Sequence, residues 1–322
     1  ANSGHTGGPL SSADFVYILF TEFLKQDPHD PDWIARDRFV LSAGHESMLL
    51  YVLLFLSGRL NLDDLKEFRQ LHSKTPGHPE VEISGVEATT GPLGQGVGMA
   101  TGMALAEIIL DSLFNKNGFN YLSHFTYVLA SDGDLQEPVA LGSAALAAHW
   151  RLAKLIMLYD SNKAQISGQT NRSESTDIAT VFEGFGWHVQ TINGHDHQAI
   201  REAIQKAQII DRPSIIIGQT VMAKGTASME GDHNTHGSPL PQAEIDASKE
   251  LLGLPPESFF IPDKVKRHFQ RGFLNLGNQV EDWKKLLEIA RKDGDFNQLW
   301  TQVIEDILPE LDFPEFDEGI SL

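Results

Sequence analysis

Short apolar runs rich in β-branched and aromatic residues alternate along this chain with longer segments of helical periodicity. The short runs predict buried strands within 37–45, 125–130, 154–159, 187–192 and 213–221. The longer segments predict helices at 13–24, 47–56, 62–71, 97–110, 137–150, 197–209 and 241–252, the first of them capped by Ser11 or Ser12. Strands that alternate with helices favour an α/β fold, a doubly wound parallel sheet with helices on both faces.

The pattern changes after residue 241, where strand-like runs stop. Residues 255–262 have the composition of a linker, 264–311 are charged and helical by pattern, and 309–322 are acidic and interrupted by proline. We therefore predict a main domain at 1–262 and a C-terminal helical, acidic extension at 263–322.

Two polar segments follow neighbouring predicted strands in the middle of the chain. Asp132 and Gly133 come after the strand at 125–130, and Asn162 comes after the strand at 154–159. Because parallel strands joined by a crossover helix end at the same sheet edge, Asp132 and Asn162 should lie side by side there. A carboxylate, an amide oxygen and a nearby carbonyl suit Mg²⁺, and Gly133 at a helix start suits a phosphate. The alternative is a simple Asp-Gly turn with a capping Asn.

Four histidines lie in glycine-rich or turn-rich loops. They are His5 near the start, His45 at a strand-to-helix junction, His78 within 72–80, and His236 within the long loop 222–240. A long loop in a compact domain is usually functional. Each histidine alone could be structural, and the segment around His5 could be a flexible terminus.

A further glycine-rich loop, 89–96, precedes the helix predicted at 97–110. Gly91 and its neighbours permit close approach of the backbone to a ligand or to another helix. A dinucleotide-binding loop would need a preceding strand, which the pattern does not predict.

Composition narrows the function classes. The 322 residues carry a net charge of −19, which argues against nucleic-acid binding. The chain has no cysteine, which excludes disulfides, thiolate metal sites and thiol nucleophiles and fits a cytoplasmic location. We find no apolar run of membrane-spanning length and no signal-like N-terminus, so we expect no membrane partner.

Taken together and in this order, the motifs resemble those of the N-terminal, diphosphate-binding portion of transketolase. The matching segments are 1–5, 37–42, 44–45, 75–80, 89–96, the Asp132/Asn162 pair and 236–239. The resemblance covers essentially residues 1–262 and implies the thiamine-diphosphate-binding fold.

The resemblance also implies a role for each matching residue. It assigns Mg²⁺, or Ca²⁺ or Mn²⁺ in its place, to Asp132, Asn162 and the carbonyl of Ala164. For the thiamine diphosphate cofactor, it implies that Gly133, His45 and His236 contact the diphosphate. It implies that Gly91 and Leu93 hold the aminopyrimidine and the bend of the cofactor, and that Ile166 packs against the thiazolium. It assigns hydrogen bonding and proton transfer along the substrate channel to His5, His78 and His236. Glu137 matches a glutamate near the family's dimer interface, although a glutamate in a first helical turn also stabilises its own helix.

The activity implied is transfer of a two-carbon ketol unit from a ketose phosphate to an aldose phosphate, in the pentose phosphate pathway. The family's second, pyrimidine-binding half is absent from this chain. We therefore expect either a fragment or one subunit of a split transketolase, within a homo- or hetero-oligomer. The chain alone should bind the cofactor weakly and show no turnover.

Three residues depart from the family pattern. Ser131 and Ser161 replace a glycine and an aspartate, and Glu46 stands where the family often has glycine; we expect Glu46 to face outward at the helix start. Two alternatives stay open: another thiamine-diphosphate enzyme subunit, of the 1-deoxyxylulose-phosphate synthase or 2-oxo-acid dehydrogenase type, and a non-catalytic regulatory half-enzyme.

Overall fold

A computed structural model of the chain describes residues 1–115, 120–271 and 276–305. Its main sheet contains the strands β1 (Arg38–Leu41), β2 (Thr126–Ser131), β3 (Leu155–Ser161), β6 (His188–Asn193) and β7 (Ser214–Gln219). A separate antiparallel hairpin contains β4 (Ala164–Gln165) and β5 (Gly168–Gln169). The main sheet has the order β1-β2-β3-β7-β6, and all its neighbouring pairs are parallel. The predicted parallel α/β sheet is confirmed.

Helices surround this sheet. They are α1 (Gly7–Ser11), α2 (Ala13–Ile18), α3 (Ser47–Leu56), α4 (Leu62–Lys66), α5 (Gln95–Phe114), α6 (Asp132–Leu135), α7 (Pro138–His149), α8 (Ile178–Phe185), α9 (His197–Ala207), α10 (Gln242–Leu251), α11 (Asp263–Gln270), α12 (Leu276–Ala290) and α13 (Gly294–Val303). A π-helical turn, Leu19–Phe23, continues α2.

Alternate side chains of each strand enter different cores, as the two-residue period of a strand requires. In β2, Tyr127 and Leu129 join a core with the N-terminal helices, α3 and α9. Val128 and Ala130 join the opposite core with α5, α7 and Phe182 of α8. The sheet is therefore covered on both faces, as predicted.

Two details of the predicted helices are wrong. The helix α2 begins at Ala13 with Ser12 in its N-cap position, as predicted, but a separate helix, α1, precedes it from Gly7. Neither serine caps a helix with its side chain, and Ser11 Oγ donates hydrogen bonds to Gly8 O and to Asp160 Oδ2. The helix predicted at 62–71 ends at Lys66. The chain turns at Arg69, whose φ is +61° and whose backbone N–H donates to Thr75 O.

The helices α12 and α13 pack against the main domain. Trp300 lies in a cluster with Trp33 and Phe114, and Trp283 Nε1 donates to Tyr121 O at 2.6 Å. The domain boundary at residue 262 stays a prediction, and the last part of the predicted extension, 306–322, lies outside the described residues.

By length and composition alone, α5 could cross a membrane, which corrects our expectation that no segment could. In this fold, Val97, Ala100 and Ala104 of α5 pack in the core beneath β1 and β2.

Candidate functional site

A cavity of about 490 Å³ lies at the carboxyl edge of the sheet. The register pairs Ser131 with Asp160, so the segments that follow β2 and β3 emerge side by side, as predicted. All twelve predicted site residues line this cavity: His5, His45, His78, Gly91, Leu93, Asp132, Gly133, Glu137, Asn162, Ala164, Ile166 and His236. Their individual roles stay predictions.

Asp132 is a buried carboxylate at this edge. Its Oδ1 accepts a hydrogen bond from the Tyr159 hydroxyl at 2.6 Å, and its Oδ2 accepts one from Lys163 N at 3.0 Å. Burial, assisted by the Asp160 carboxylate, raises the pKa of Asp132 to about 6, although the hydrogen bond from the Tyr159 hydroxyl acts to lower it. A cation bound at Asp132 would favour its ionised form.

Asn162 is oriented by its neighbours. Its Nδ2 donates to Asp160 Oδ2 at 2.8 Å, and its Oδ1 accepts from Ala164 N at 2.9 Å. Asp160 also accepts hydrogen bonds from the hydroxyls of Ser11 and Thr220, and burial raises its pKa. Sequence reasoning missed Asp160; the only signal was a carboxylate at the end of an otherwise apolar run.

Asp134 connects three segments of the site and was also missed. It is fully buried, and its Oδ2 accepts from Ser131 N and Ser131 Oγ, each at 2.9 Å. Its Oδ1 accepts from Ser42 Oγ at 2.6 Å and from Gly94 N at 2.8 Å. The carboxylate thus joins the ends of β1 and β2 to the glycine-rich loop, and Ser131 serves as a capping residue for α6.

The glycine-rich loop rests directly on the start of α6 and α7. Gly94 has a φ of +77°, and a Cβ there would lie 2.7 Å from Glu137 Cβ. A Cβ on Gly133 would lie 3.0 Å from Leu93 Cδ1. The close contact keeps Leu93 against the backbone of Gly133, on the wall of the cavity.

Three histidine rings that line the same cavity lie close together. The ring centroids of His45 and His236 are 5.1 Å apart, and that of His5 lies 5.0 Å from His45 and 5.7 Å from His236. Burial, together with the neighbouring histidine rings, lowers the pKa of His45 to about 3 and that of His236 to about 4. Burial also lowers the pKa of His5 and of His78. The rings are therefore neutral near pH 7.

The N-terminal segment that carries His5 is attached to the loop that carries His236. Thr6 N donates to Thr235 O at 3.4 Å, and Thr6 Oγ1 donates to Ser238 O at 3.2 Å. Ala223 N donates to Gly7 O at 3.0 Å. These contacts hold the two histidines together although they lie at opposite ends of the main domain's sequence.

Glu46 faces inward, which corrects our expectation that it faces outward. Its side chain is only 1% exposed, and a Cβ on Gly8 would lie 2.5 Å from its Oε1. The 3₁₀ turn Gly44–Glu46 directs it beneath α1, where Gly8 leaves the space. Burial, together with the charge of Asp160, raises the pKa of Glu46 well above its ordinary value.

Ile166 and Glu137 lie on the rim. Ile166 is 69% exposed in the turn between β4 and β5, where a ligand in the cavity would cover it. Glu137 occupies the N-cap position of α7 without a capping hydrogen bond from its side chain, so the helix-stabilising alternative receives no support from capping.

Comparison with known proteins connects this site to one family. Residues 1–309 match the family described as transketolase, thiamine diphosphate binding domain. The chain is similar to transketolase of Staphylococcus aureus strain N315, with 46% identity over 292 residues, covering 89% of this chain and 44% of the relative. Geobacillus stearothermophilus transketolase is 42% identical over 334 residues, covering 100% of this chain and 50% of the relative.

Solved structures agree. Campylobacter jejuni transketolase superposes with a TM-score of 0.92 at 42% identity, covering 98% of this chain and 49% of that chain. A Pichia stipitis transketolase in complex with sedoheptulose-7-phosphate superposes with a TM-score of 0.90 at 37% identity, covering 94% of this chain and 45% of that chain. The chain thus spans about half the length of the relatives it matches.

Proposed function

The chain belongs to the transketolase family through its thiamine-diphosphate-binding domain, and we propose that it holds the diphosphate end of thiamine diphosphate together with Mg²⁺. In that role it supplies one half of an active site for ketol transfer between sugar phosphates. The observation that carries the proposal is the convergence of Asp132, Asn162, the glycine-rich loop and the histidines on one cavity.

The oxygen ligands suit a hard cation. Asp132 offers a buried carboxylate that receives only neutral hydrogen-bond donors within the described residues. Asn162 Oδ1 and the carbonyl of Ala164 would complete the protein's share, leaving further positions to water and phosphate oxygens. Ca²⁺ or Mn²⁺ would accept the same oxygen ligands.

Residues that line the cavity would contact each part of the cofactor. Gly133, His45 and His236 would contact the diphosphate, Gly91 and Leu93 the aminopyrimidine and the bend, and Ile166 the thiazolium. When bound, thiamine diphosphate supplies the carbon nucleophile and the electron sink that two-carbon transfer requires.

The histidines would act on the sugar. Because they are neutral near pH 7, the rings of His5, His78 and His236 can donate an N–H to one hydroxyl and accept a proton from another.

A second domain or chain is needed to complete the active site in this proposal. The relatives are about twice as long as this chain. We assign the pyrimidine-binding half of the site to the second domain or chain and propose that turnover needs it. The sedoheptulose-7-phosphate complex of the Pichia stipitis protein supports sugar-phosphate substrates.

Exposed apolar residues on α5 support a dimer or another oligomer, with Glu137 close to the interface; they are Met99, Ile108 and Ile109. The pentose phosphate pathway and the cytoplasm are part of the same proposal.

A non-catalytic regulatory half-enzyme is the second candidate function. It would have no need for Asp132, Asn162 and four cavity-lining histidines together, and their presence favours the catalytic role.

The test is calorimetric titration of the purified chain with thiamine diphosphate and Mg²⁺. The wild type should bind, and Asp132→Ala should weaken binding at least about tenfold, by removing the only charged metal ligand. Asp211→Ala, which removes an exposed carboxylate paired with Arg151, is the control and should bind like the wild type. Equal binding by the wild type and Asp132→Ala would refute the metal site.

A further inference from the structure

The rings of His5, His45 and His236 form a cluster of nitrogen donors apart from the oxygen ligands of Asp132 and Asn162. One nitrogen from each ring can be chosen so that all three lie within 4.8 Å of one another. The three rings come from different segments: the N-terminus, the turn after β1 and the long loop after β7. No cysteine competes as a ligand anywhere in the chain.

Two of the three rings have an Nδ1 atom that lacks a partner. Nδ1 of His5 and Nδ1 of His236 are buried, and neither makes a hydrogen bond within the described part of the chain. Leaving a buried polar atom unsatisfied costs about 1–3 kcal/mol. The cluster therefore retains lone pairs or N–H groups that a bound species would satisfy.

The donors match a borderline transition-metal ion. Zn²⁺ binds imidazole nitrogen at about 2.0–2.1 Å, and sites with three protein ligands keep a fourth position for water. In tetrahedral geometry this spaces the nitrogens by about 3.4 Å, so the rings would need to converge by up to about 1.4 Å through side-chain rotation. Mg²⁺ prefers oxygen ligands and would not compete for these rings.

We propose that His5, His45 and His236 form a Zn²⁺ site when thiamine diphosphate is absent. The backbone contacts between Thr6 and Thr235 and between Gly7 and Ala223 hold the His5 and His236 segments in place, so part of the site is preformed. The metal site rests on this geometry alone.

A second consequence rests on the proposed function. His45 and His236 are also the rings assigned to the diphosphate, and a metal held between them would fix the orientation of both rings and take one nitrogen of each away from the phosphate. Zn²⁺ and thiamine diphosphate should therefore exclude each other.

The metal site is tested with Co²⁺, whose four-coordinate complexes have intense visible absorption, in the purified chain without thiamine diphosphate. The wild type should give a saturable spectrum with one equivalent bound, and Zn²⁺ should displace it. His236→Gln and His5→Gln should each weaken Co²⁺ binding at least about 100-fold, because losing even a residue that only orients a ligand costs about 10–100-fold.

His149→Gln, at an exposed histidine ending α7, is the matched control and should leave the spectrum unchanged. Circular dichroism establishes that each variant is folded, and His5→Gln provides an independent variant if His236→Gln is not. Absence of a four-coordinate spectrum in the wild type, or an unchanged affinity in folded His5→Gln, would overturn the proposal.

Mutual exclusion is tested by adding thiamine diphosphate with Mg²⁺ to the Co²⁺-loaded chain while calorimetry follows cofactor binding. Loss of the visible spectrum as the cofactor binds supports exclusion, and an unchanged spectrum with the cofactor bound refutes it. Failure of the cofactor to bind even the metal-free chain would count against the proposed function and leave the Co²⁺ result standing.

Discussion

Replacing Asp134 with alanine should destabilise the chain more than any exposed carboxylate substitution. The buried carboxylate accepts from Ser131 N, Ser131 Oγ, Ser42 Oγ and Gly94 N. In Asp134→Ala, the two serine hydroxyls can rotate towards other acceptors. The backbone N–H groups of Ser131 and Gly94 cannot, and they are left buried without an acceptor.

Each orphaned N–H costs about 1–3 kcal/mol, so the free energy of unfolding should fall by about 2–6 kcal/mol. Asp134→Asn keeps one acceptor oxygen but replaces the other with an NH₂ group, which faces donors and cannot accept from them. Asp134→Asn should therefore lower the free energy of unfolding by about 1–3 kcal/mol. Thiamine diphosphate affinity should fall with stability, because Gly94 fixes the loop that carries Leu93.

Urea unfolding followed by circular dichroism near pH 7 measures these losses. Asp177→Ala is a matched control, since Asp177 also accepts from a backbone N–H and a hydroxyl, both of Thr180, but at an exposed helix start. It should cost about 1 kcal/mol. A loss below about 1 kcal/mol in Asp134→Ala would refute the assignment of this carboxylate as the connector of the site.

Two pH-dependent predictions follow from other buried groups. As pH rises from about 5 to 8, the free energy of unfolding of Glu46→Gln should increase relative to that of the wild type. The folded wild type keeps a proton on Glu46, whereas the unfolded chain releases it above the ordinary pKa of 4.5, so the wild type loses stability as pH rises. Parallel stability curves for the two proteins would contradict it. Burial beside Arg38 and Lys154 lowers the pKa of His124 to about 3, so the folded chain holds it neutral while the unfolded chain protonates it near 6.5. The wild type should therefore lose about 2 kcal/mol more than His124→Gln between about pH 7 and pH 5, and equal losses in urea titrations would refute this.

The sheet was predictable because burial on both faces imposes continuous apolar runs on its strands. The run ending at Ser131 is buried along its whole length, and its helix-linked neighbour ends beside it as the crossover rule requires. By contrast, β4 and β5 contribute two residues each, too few for a periodic pattern. The helix α8 was missed although its apolar face is pronounced, because it has only eight residues and contains Gly184 near its end.

The lining of the cavity was predictable from motif order, whereas its supports were not. Asp134 and Asp160 are positioned by partners far away in sequence, such as Gly94 and Thr220, and no local sequence pattern predicts such contacts. The inward course of Glu46 depends on space left by Gly8, which only the packing of α1 creates.

The hydrogen bond from Thr6 to Ser238 joins residues 232 positions apart, and this distance governs when the cavity can form. During synthesis, the ribosome releases His5 and His45 early, but the wall that carries His236 emerges only after β7. Closing so long a loop is slow unless the intervening sheet has already assembled. A ligand that contacts His236 therefore gains its full stabilising effect only after the residues beyond β7 have emerged, so its binding marks a late stage in the folding of the domain.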